Sequence, residues 1–485
     1  MSTSPVNVPT AALPRVTEAA LSRRQLLRRT ACGFGHVALL AMFEQCSAAL
    51  AGDDSRLTNS LALHPPQYAG KAKRIIFLFM HGGVSHIDTF DPKPKLDEMD
   101  GKPLPFQAPR QFAETGNLMR SPWQFHRCGE SGLAVSTLFP QVGSVIDDIC
   151  LIRSMHVEQV DHGGAILQLH TGSAVFPRPS LGAWVSYGLG TENQDLPAFV
   201  AISPPMMHGA QQNFGSAFLP ACFQGTPIGD SKTPMTKAKV SNLRRAEPTD
   251  ELQRLQLDFI QQSNYAHLAT SPPDSRLEAR IESFELAFRM QAEAPGALDL
   301  AAESIAMRKL YGIDDGPTDN FGRQCLMARR LIERGVRFVQ CSHSYKWDQH
   351  GGLKQGHETN AREVDLPIAG LITDLKQRGL LDETLVVWGT EFGRTPVSQG
   401  TDGRDHNPYG FTMWLAGGGV KGGIAYGETD ELGYKAVKDR VSMYDFHATL
   451  LHLLGIDHTK LTYPYNGRNF RLTDVQGQII QDIVA

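Results

Sequence analysis

Four short apolar runs each end in a cluster of histidine and carboxylate side chains, and this pattern most constrains the fold. The runs end at Met80, Ile152, Cys341 and Trp388, and each has the length of a buried strand. Stretches with helical spacing separate them, so strands alternate with helices. This alternation predicts an α/β fold with a central, mostly parallel sheet and helices on both faces. The carboxyl ends of the four strands would then share one edge, where their polar side chains would converge.

Six polar side chains behind these strands are candidate metal ligands. Each stands after a predicted strand or in the glycine-rich loop behind it: His81, Asp88, Asp348, His350, Glu391 and His406. Imidazole and carboxylate ligands together suit Zn²⁺ or Mn²⁺ better than Ca²⁺ or Mg²⁺, which prefer oxygen alone. The sequence therefore predicts a divalent metal site, with zinc or manganese favoured and calcium or magnesium as further candidates.

Alternative interpretations of these clusters stay open. The loop after Trp388 could be a salt-bridged loop, with Glu391 paired to Arg394 and Asp405 paired to Arg404, because ion-pair networks mimic functional sites. Histidines that could support or replace a ligand are His86, His156, His162, His343 and His357. No catalytic role is expected for His208, His267, His447, His452 and His458.

Net charge and hydrophobic content argue against binding driven by bulk charge. The 485 residues carry a net charge of −4, and 41 % of them are hydrophobic. The chain can bury a large core, and a nucleic-acid partner is not expected. No segment beyond the N-terminal region reaches membrane-spanning length, so we expect no stable membrane span in the mature chain. Seven scattered cysteines without a CxxC pair argue against a disulfide framework.

Residues 1–51 have the features of a twin-arginine export signal. The arginine pair Arg23-Arg24 precedes a modest apolar run, and Ala49-Leu50-Ala51 supplies small residues for cleavage. A basic amphipathic helix or a short membrane anchor is the alternative. The signal predicts a periplasmic or otherwise exported protein whose first partner is the twin-arginine export machinery.

The remainder is predicted to be a linker at 52–71 followed by a single domain at 72–485. Two segments rich in proline and glycine, at about 93–141 and 203–245, are predicted loop insertions. Helical spacing recurs between about 249 and 334 and predicts a helical block that packs on the sheet.

Five motifs behind the export signal carry a family resemblance: HGGVSHIDTFDPKP, WDQHGG, GTEFGRTP, GRDHNPYGF and AGGGVKGG. Together they resemble the exported bacterial family known as domain of unknown function 1501. That family is similar to sulfatases and belongs with the alkaline-phosphatase-like superfamily. The resemblance implies a three-layer α/β sandwich with a one- or two-metal site at the strand ends.

The resemblance also implies roles for single residues. His81 stands where the superfamily has a metal-binding aspartate, with Asp88 as a substitute. The position of the superfamily nucleophile falls on His162, and no Ser, Thr or Cys occurs between Met155 and His170. A Ser, Thr or formylglycine nucleophile is therefore not expected, and His162 is a candidate general base or direct nucleophile. Two arginines, Arg394 and Arg404, are candidates for stabilising the transferred group.

The function expected from these observations is an exported, metal-dependent hydrolase of phosphate or sulfate esters that uses metal-activated water. Its substrate would be an anionic ester of a small molecule or a polysaccharide. The first alternative is a catalytically inactive exported binding protein that keeps the sulfatase-like fold. A metal-dependent isomerase or mutase is the second alternative.

Overall fold

The computed structural model describes residues 61–109, 112–240, 250–270 and 275–485. These residues all belong to one compact unit, Asn59–Ala485. The predicted export signal at 1–51 and residues 52–60 of the predicted linker lie outside the described residues.

The strands of the described part begin with the apolar run that follows the linker. In chain order they are β1 Arg74–Met80, β2 Phe125–Cys128, β3 Leu133–Ser136, β4 Ile149–His156, β5 Phe199–Ile202, β6 Thr226–Ile228, β7 Phe338–His343, β8 Thr384–Gly389, β9 Gly393–Gln399, β10 Gly403–Asn407, β11 Phe411–Ala416, β12 Ile424–Tyr426, β13 Glu428–Thr429, β14 Ala436–Lys438, β15 Val441–Ser442, β16 Tyr463–Tyr465 and β17 Arg468–Phe470.

The α-helices alternate with these strands as the sequence predicts. In chain order they are α1 Pro94–Glu98, α2 Pro140–Gly143, α3 His162–Thr171, α4 Leu181–Leu189, α5 Asp250–Thr270, α6 Ser275–Leu298, α7 Ile305–Leu310, α8 Asp319–Glu333, α9 Leu353–Gln377 and α10 Met443–Leu453. None of the helices in the described part combines the length and the apolar character that a membrane crossing requires.

The central sheet has the strand order β12-β4-β11-β8-β1-β7-β5-β6, and β15 pairs with β4. Strand β1 runs parallel to both β7 and β8, whereas β11 runs antiparallel to both β8 and β4. The sheet is therefore mixed, and the predicted α/β sandwich is confirmed. Because β4 is two antiparallel steps from β8, the strands β1, β4, β7 and β8 point the same way. Their carboxyl ends meet at one edge.

Continuous apolar sequence explains why β1 lies in the middle of the sheet. From Ile75 to Met80 every side chain is at most 3 % exposed, so both faces of the strand are covered. Parallel strands with both faces buried have such unbroken apolar runs instead of alternation. Burying one such side chain contributes about 1.5–3 kcal/mol to folding. Because this burial holds β1 in place, the loop after Met80 begins at a fixed position.

The insertions contain more structure than a loop prediction implies. The segment at 93–141 holds α1, the β2-β3 hairpin and the start of α2, whereas the segment at 203–245 holds two 3₁₀ turns and β6. The chain from Ile424 to Val437 does not form a single hairpin. Strand β12 pairs in parallel with β4, and β13 pairs with β14.

Candidate metal centre

The loop after β1 comes very close to the loop after β7, and glycine makes this approach sterically allowed. Gly82 and Gly83 have φ values of 125° and 85°, which L side chains rarely adopt. A Cβ atom on Gly82 would lie 2.7 Å from the backbone nitrogen of Asp348. The double glycine therefore lets Asp348 lie against the end of β1.

Asp348 is the centre of a cluster of nitrogen atoms. Its Oδ1 lies 3.0 Å from His350 Nε2, 3.2 Å from His162 Nε2 and 3.3 Å from His406 Nε2. One ligand atom from each of these four residues lies within 4.8 Å of the others. Three imidazoles and one carboxylate at this spacing can hold a divalent metal ion.

The other ring nitrogen of each histidine is held by an oxygen acceptor. His162 Nδ1 lies 2.7 Å from Glu391 Oε1, and His406 Nδ1 lies 2.6 Å from the carbonyl oxygen of Val160. His350 Nδ1 pairs with Gln399 Oε1. An oxygen acceptor at Nδ1 fixes the proton there and leaves a lone pair on Nε2. Metal-binding histidines have this arrangement, with the second nitrogen bonded to a carboxylate or carbonyl.

His162 Nε2 is a buried polar atom that makes no hydrogen bond of acceptable geometry to any of the described residues, although it lies 3.2 Å from Asp348 Oδ1. The same oxygen also accepts a 2.7 Å hydrogen bond from Arg394 Nη2. One carboxylate oxygen therefore faces four nitrogens, more than its lone pairs can serve. This donor set fits a cation placed between the imidazoles.

The pKa values of the cluster follow from these contacts. Burial would raise the pKa of Asp348, but the three neighbouring histidines and the charge of Arg394 hold it far below its usual range. Burial would lower the pKa of His162, but Asp348 and Glu391 raise it to about 9. Burial dominates at His406 and lowers its pKa to about 4. Asp348 is therefore ionised at neutral pH.

Of the six predicted ligands, the structure brings three into this group, Asp348, His350 and His406, and adds His162. His162 was expected as a base or nucleophile and also as an alternative ligand, and its Nε2 points into the ligand group. The carboxylate of Glu391 lies behind His162 and outside the ligand group. It accepts hydrogen bonds from the backbone nitrogen of Gly82 and from Thr390 Oγ1, and it holds His162.

Asp88 lies outside the ligand group because Arg404 holds it. The two side chains are fully buried, and Arg404 Nε lies 2.8 Å from Asp88 Oδ2. This closed pair explains why neither residue reaches the cluster. The expected pairing of Asp405 with Arg404 is replaced as well, since Asp405 Oδ2 accepts from the backbone nitrogens of Phe112 and Ala113.

Arg394 is buried, and each of its three guanidinium nitrogens donates a hydrogen bond to a described residue. Its Nε donates to the carbonyl oxygen of Gly83 at 2.8 Å, and its Nη2 donates to Asp348. Arg394 therefore holds the β1 loop and Asp348 together. The expected contact with a transferred group is not available to its guanidinium in this arrangement.

His81 lies beside the ligand group and pairs with a histidine to which the sequence assigned no role. Its Nε2 lies 3.2 Å from His208 Nδ1, and the ring of His208 stacks on His162 with a centroid distance of 5.2 Å. Tyr345 donates to Asp348 Oδ2 at 3.0 Å. Sequence analysis missed His208 and Tyr345 because one lies in a predicted loop insertion and the other has no metal-type side chain.

Six further histidines have a hydrogen-bond partner outside the ligand group. His343 pairs with Glu363, and His357 Nε2 accepts from the backbone nitrogen of Ser85. Others bond to a carbonyl or hydroxyl oxygen outside the ligand group: His86 to Gly433, His447 to Leu169, His452 to Tyr68 and His458 to Thr473.

Comparison with protein families identifies the chain. The model of the family described as "Protein of unknown function (DUF1501)" matches residues 72–484. The chain belongs to the DUF1501 family. All four residues of the ligand group lie inside the part that matches this DUF1501 model. No curated protein matches this DUF1501 chain.

Solved structures similar to this DUF1501 protein share little sequence with it. The lipoteichoic acid synthase LtaP from Listeria monocytogenes is 10 % identical, with a TM-score of 0.33, and the match covers 86 % of this chain and 79 % of that one. The PsFucS1 sulfatase from Pseudoalteromonas sp. is 12 % identical (TM-score 0.34, covering 79 % and 68 %). Alkaline phosphatase from the Antarctic bacterium TAB5 is 9 % identical (TM-score 0.34, covering 80 % and 99 %).

Proposed function

We propose that this protein is an exported, metal-dependent hydrolase of phosphate or sulfate esters. The observation that carries the proposal is the convergence of three imidazole Nε2 atoms on Asp348 Oδ1, each imidazole fixed from behind by an oxygen acceptor. Structural ion pairs do not need three histidines oriented in this way. Catalytic zinc sites hold their ion through three His, Asp or Glu side chains and keep a position for water or substrate, so an ion here would bind three of the four residues or accept water as a fifth ligand.

The charges of the centre support an anionic substrate only when a metal is present. Asp348 and Glu391 supply two negative charges, Arg394 supplies one positive charge, and the imidazoles are neutral when they ligate a metal. Without an ion, His162 is protonated at neutral pH because its pKa is raised to about 9, so the charges of the group cancel and do not attract an anionic ester. With neutral imidazoles and a divalent ion, the same group carries one positive charge. The ion would also activate water and stabilise charge on the transferred group.

Zinc or manganese fits the donor set best. Three nitrogens and one carboxylate oxygen are the ligands that these ions accept, whereas calcium and magnesium prefer sites made of oxygen.

The residues around the ligands supply orientation. Arg394 and Tyr345 hold the two oxygens of Asp348, so the carboxylate cannot rotate away from the imidazoles. Glu391 holds His162 in the tautomer that exposes the Nε2 lone pair. Such outer contacts raise the basicity of ligands and fix their geometry before a metal arrives.

Metal content of the mature protein tests the proposal. The protein is purified without chelator and measured by plasma mass spectrometry beside His350→Ala, which removes a half-buried ligand. His126→Ala, which removes an exposed histidine of β2, is the matched control. We expect near-stoichiometric zinc or manganese in the wild type and the control, and loss in His350→Ala. Metal-loaded protein is then assayed on phosphate and sulfate monoesters. A metal-free native protein would refute the proposal, as would a metal-loaded protein that cleaves no ester.

The pairing of both predicted arginines favours one alternative, a catalytically inactive exported binding protein. Arg394 is bonded to Asp348 and Arg404 to Asp88, so neither guanidinium is free to stabilise a transferred group. The two functions differ in turnover. A binding protein would retain an oxyanion such as phosphate or sulfate at the metal and release it unchanged, whereas a hydrolase would release free alcohol from an ester.

A further inference from the structure

Two exposed aromatic side chains lie against imidazoles of the metal centre, and two exposed methionines precede His208 in the chain. These four residues, Phe112, Met206, Met207 and Tyr345, here called the collar, are 54 %, 53 %, 50 % and 39 % exposed. Large apolar side chains at this exposure are normal when scattered, but a group beside a polar cleft indicates a binding surface.

Phe112 lies beside two imidazoles of the metal centre. Its ring stacks on His406 with a centroid distance of 4.6 Å and an interplanar angle of 28°, and it lies 5.8 Å from the ring of His350. The backbone nitrogens of Phe112 and Ala113 each donate to Asp405 Oδ2 at 3.1 Å. Because Asp405 is fully buried, this bond anchors the insertion loop and places the ring over two of the metal ligands.

Tyr345 lies beside His162, a ligand that Phe112 does not contact in the ring pairs described. Its ring lies 5.6 Å from that of His162 and 5.0 Å from that of His208, and its hydroxyl group donates to Asp348 Oδ2. Met206 and Met207 directly precede His208 in the chain. Tyr345 and His208 adopt φ values of 45° and 52°, which are uncommon for residues other than glycine and cluster at ligand sites.

The collar offers apolar contacts and almost no free polar atoms. Its single hydroxyl group, on Tyr345, is already bonded to Asp348. A hydroxylated sugar that packs on these four side chains would lose hydrogen bonds to water without gaining partners from them, which is unfavourable. A hydrocarbon group loses nothing and gains contact with rings and thioethers.

We propose that the substrate of this centre is a phosphate or sulfate monoester of an apolar alcohol or a phenol, whose hydrocarbon part packs between Phe112 and Tyr345. This assignment rests on the proposed function, since the metal centre must bind the anionic end of the ester. The collar then selects the organic end, and the exposed edge of His350 marks where the ester enters.

Binding of two phosphonates, which cannot be hydrolysed as esters, tests the assignment on the metal-loaded protein. Phenylphosphonate and methylphosphonate carry the same anionic group and differ only in hydrocarbon size. We expect calorimetry to show at least about ten-fold tighter binding of phenylphosphonate, because one buried methylene or methyl already changes affinity about 10-fold or more. In Phe112→Ala this preference should fall to about three-fold or less, while methylphosphonate affinity stays the same.

A matched control comes from the same insertion. Phe106 is 38 % exposed and packs on Tyr434 with a centroid distance of 5.4 Å, so Phe106→Ala removes a similar ring outside the collar. It should leave the preference for phenylphosphonate unchanged. Met206→Ser combined with Met207→Ser should reduce the preference about three-fold. Equal binding of the two phosphonates by the wild type would overturn the assignment, and so would a preference that survives in Phe112→Ala.

Kinetics separate this assignment from the proposed hydrolysis. With phenyl phosphate, Phe112→Ala should raise KM about three-fold or more and leave kcat unchanged, as expected for loss of uniform binding. Should the protein bind phenylphosphonate selectively but cleave neither phosphate nor sulfate esters, hydrolysis is refuted and apolar recognition stands. Equal KM values for phenyl and methyl phosphate would leave hydrolysis in place and refute the assignment.

Discussion

Two carboxylates that follow central strands pair with arginines of β9 and β10, and the two pairs have different surroundings. Asp88 and Arg404 are both fully buried, and Arg404 also donates to the carbonyl oxygens of Thr395 and Met119. Asp348 keeps 15 % of its side chain exposed and faces Arg394 and three histidines. The first pair is closed by its own hydrogen bonds, whereas the second has nitrogen lone pairs directed at it. This contrast separates a structural ion pair from a candidate metal centre.

The comparison also shows what an arginine contributes behind a metal ligand. Arg394 bridges the carbonyl oxygen of Gly83 and the carboxylate of Asp348, so it fixes the ligand without entering the ligand group. Arg404 fixes Asp88 in the same way, but among the described residues no imidazole is hydrogen-bonded to that pair. The arrangement of histidines therefore distinguishes the two sites, since both have the same charges.

The largest effect on stability is expected from Asp88→Asn. Removing one partner of a buried pair leaves the charge of Arg404 uncompensated, which costs about 3–5 kcal/mol of unfolding free energy. Urea unfolding of the wild type and the variant measures this loss. Asp100→Asn is the matched control, because the Asp100–Arg120 pair is exposed and contributes under about 1 kcal/mol. Metal content per folded molecule should not change in Asp88→Asn, and a loss of metal there would break the distinction between the two pairs.

Asp348→Asn is expected to reduce metal affinity more than stability, which is the reverse of the result expected for Asp88→Asn. Asp348→Asn removes the charged oxygen ligand, so metal affinity should fall by more than the roughly 10–100-fold that follows loss of an outer contact. Competition with a chromophoric chelator measures this affinity. Unfolding free energy in the presence of excess chelator should change less than in Asp88→Asn, because Asp348 is partly exposed and Arg394 retains the carbonyl oxygen of Gly83. Unchanged metal affinity would show that the histidine cluster is only an ion-pair network.

A smaller effect on metal affinity is expected from Glu391→Gln. This variant tests whether Glu391 only holds His162 or binds the metal directly. Although burial would raise the pKa of Glu391, the hydrogen bond and charge of His162 lower it to about 2, so the carboxylate is ionised. The amide keeps an acceptor for His162 Nδ1 but removes the charge. We expect metal affinity to fall about 10–100-fold. A complete loss of metal from the folded variant would instead make Glu391 a direct ligand.

The smallest effect is a loss of stability at low pH that is due to His357, which lies near the Asp88–Arg404 pair. His357 accepts from the backbone nitrogen of Ser85, whose hydroxyl group donates to Asp88, and burial lowers the pKa of His357 to about 3. Below pH 6.5 the unfolded chain binds a proton at this histidine that the folded chain does not bind, so stability falls as pH falls toward 3. Between pH 6.5 and 5.5 this contributes a loss of about 1 kcal/mol.

Urea unfolding of wild type and His357→Gln at both pH values measures that contribution. The variant has no titrating group at this position, so its loss of stability over the same interval should be smaller by about 1 kcal/mol. Equal losses would show that His357 does not hold this low pKa in the folded protein.

The fold and the location of the site at one edge of the sheet could be predicted from the sequence, because both depend on local patterns. Continuous apolar runs such as Arg74–Met80 give buried strands, and their alternation with helices leaves few topologies. The same logic placed Asp348, His350 and His406 near one another. It could not separate Asp88 from Asp348, because both carboxylates follow a strand and both have an arginine later in the chain.

The sequence by itself therefore determined the α/β architecture, the DUF1501 motifs and the residue types at the strand ends. Only the tertiary structure decided which side chains share a ligand group, since hydrogen bonds between residues far apart in the chain set that choice. Asp88 is bonded to Arg404 over 316 positions, and His162 is bonded to Glu391 over 229 positions. Long-range partners fix which nitrogen of a histidine is free and which carboxylate is already satisfied. No local sequence pattern contains that information.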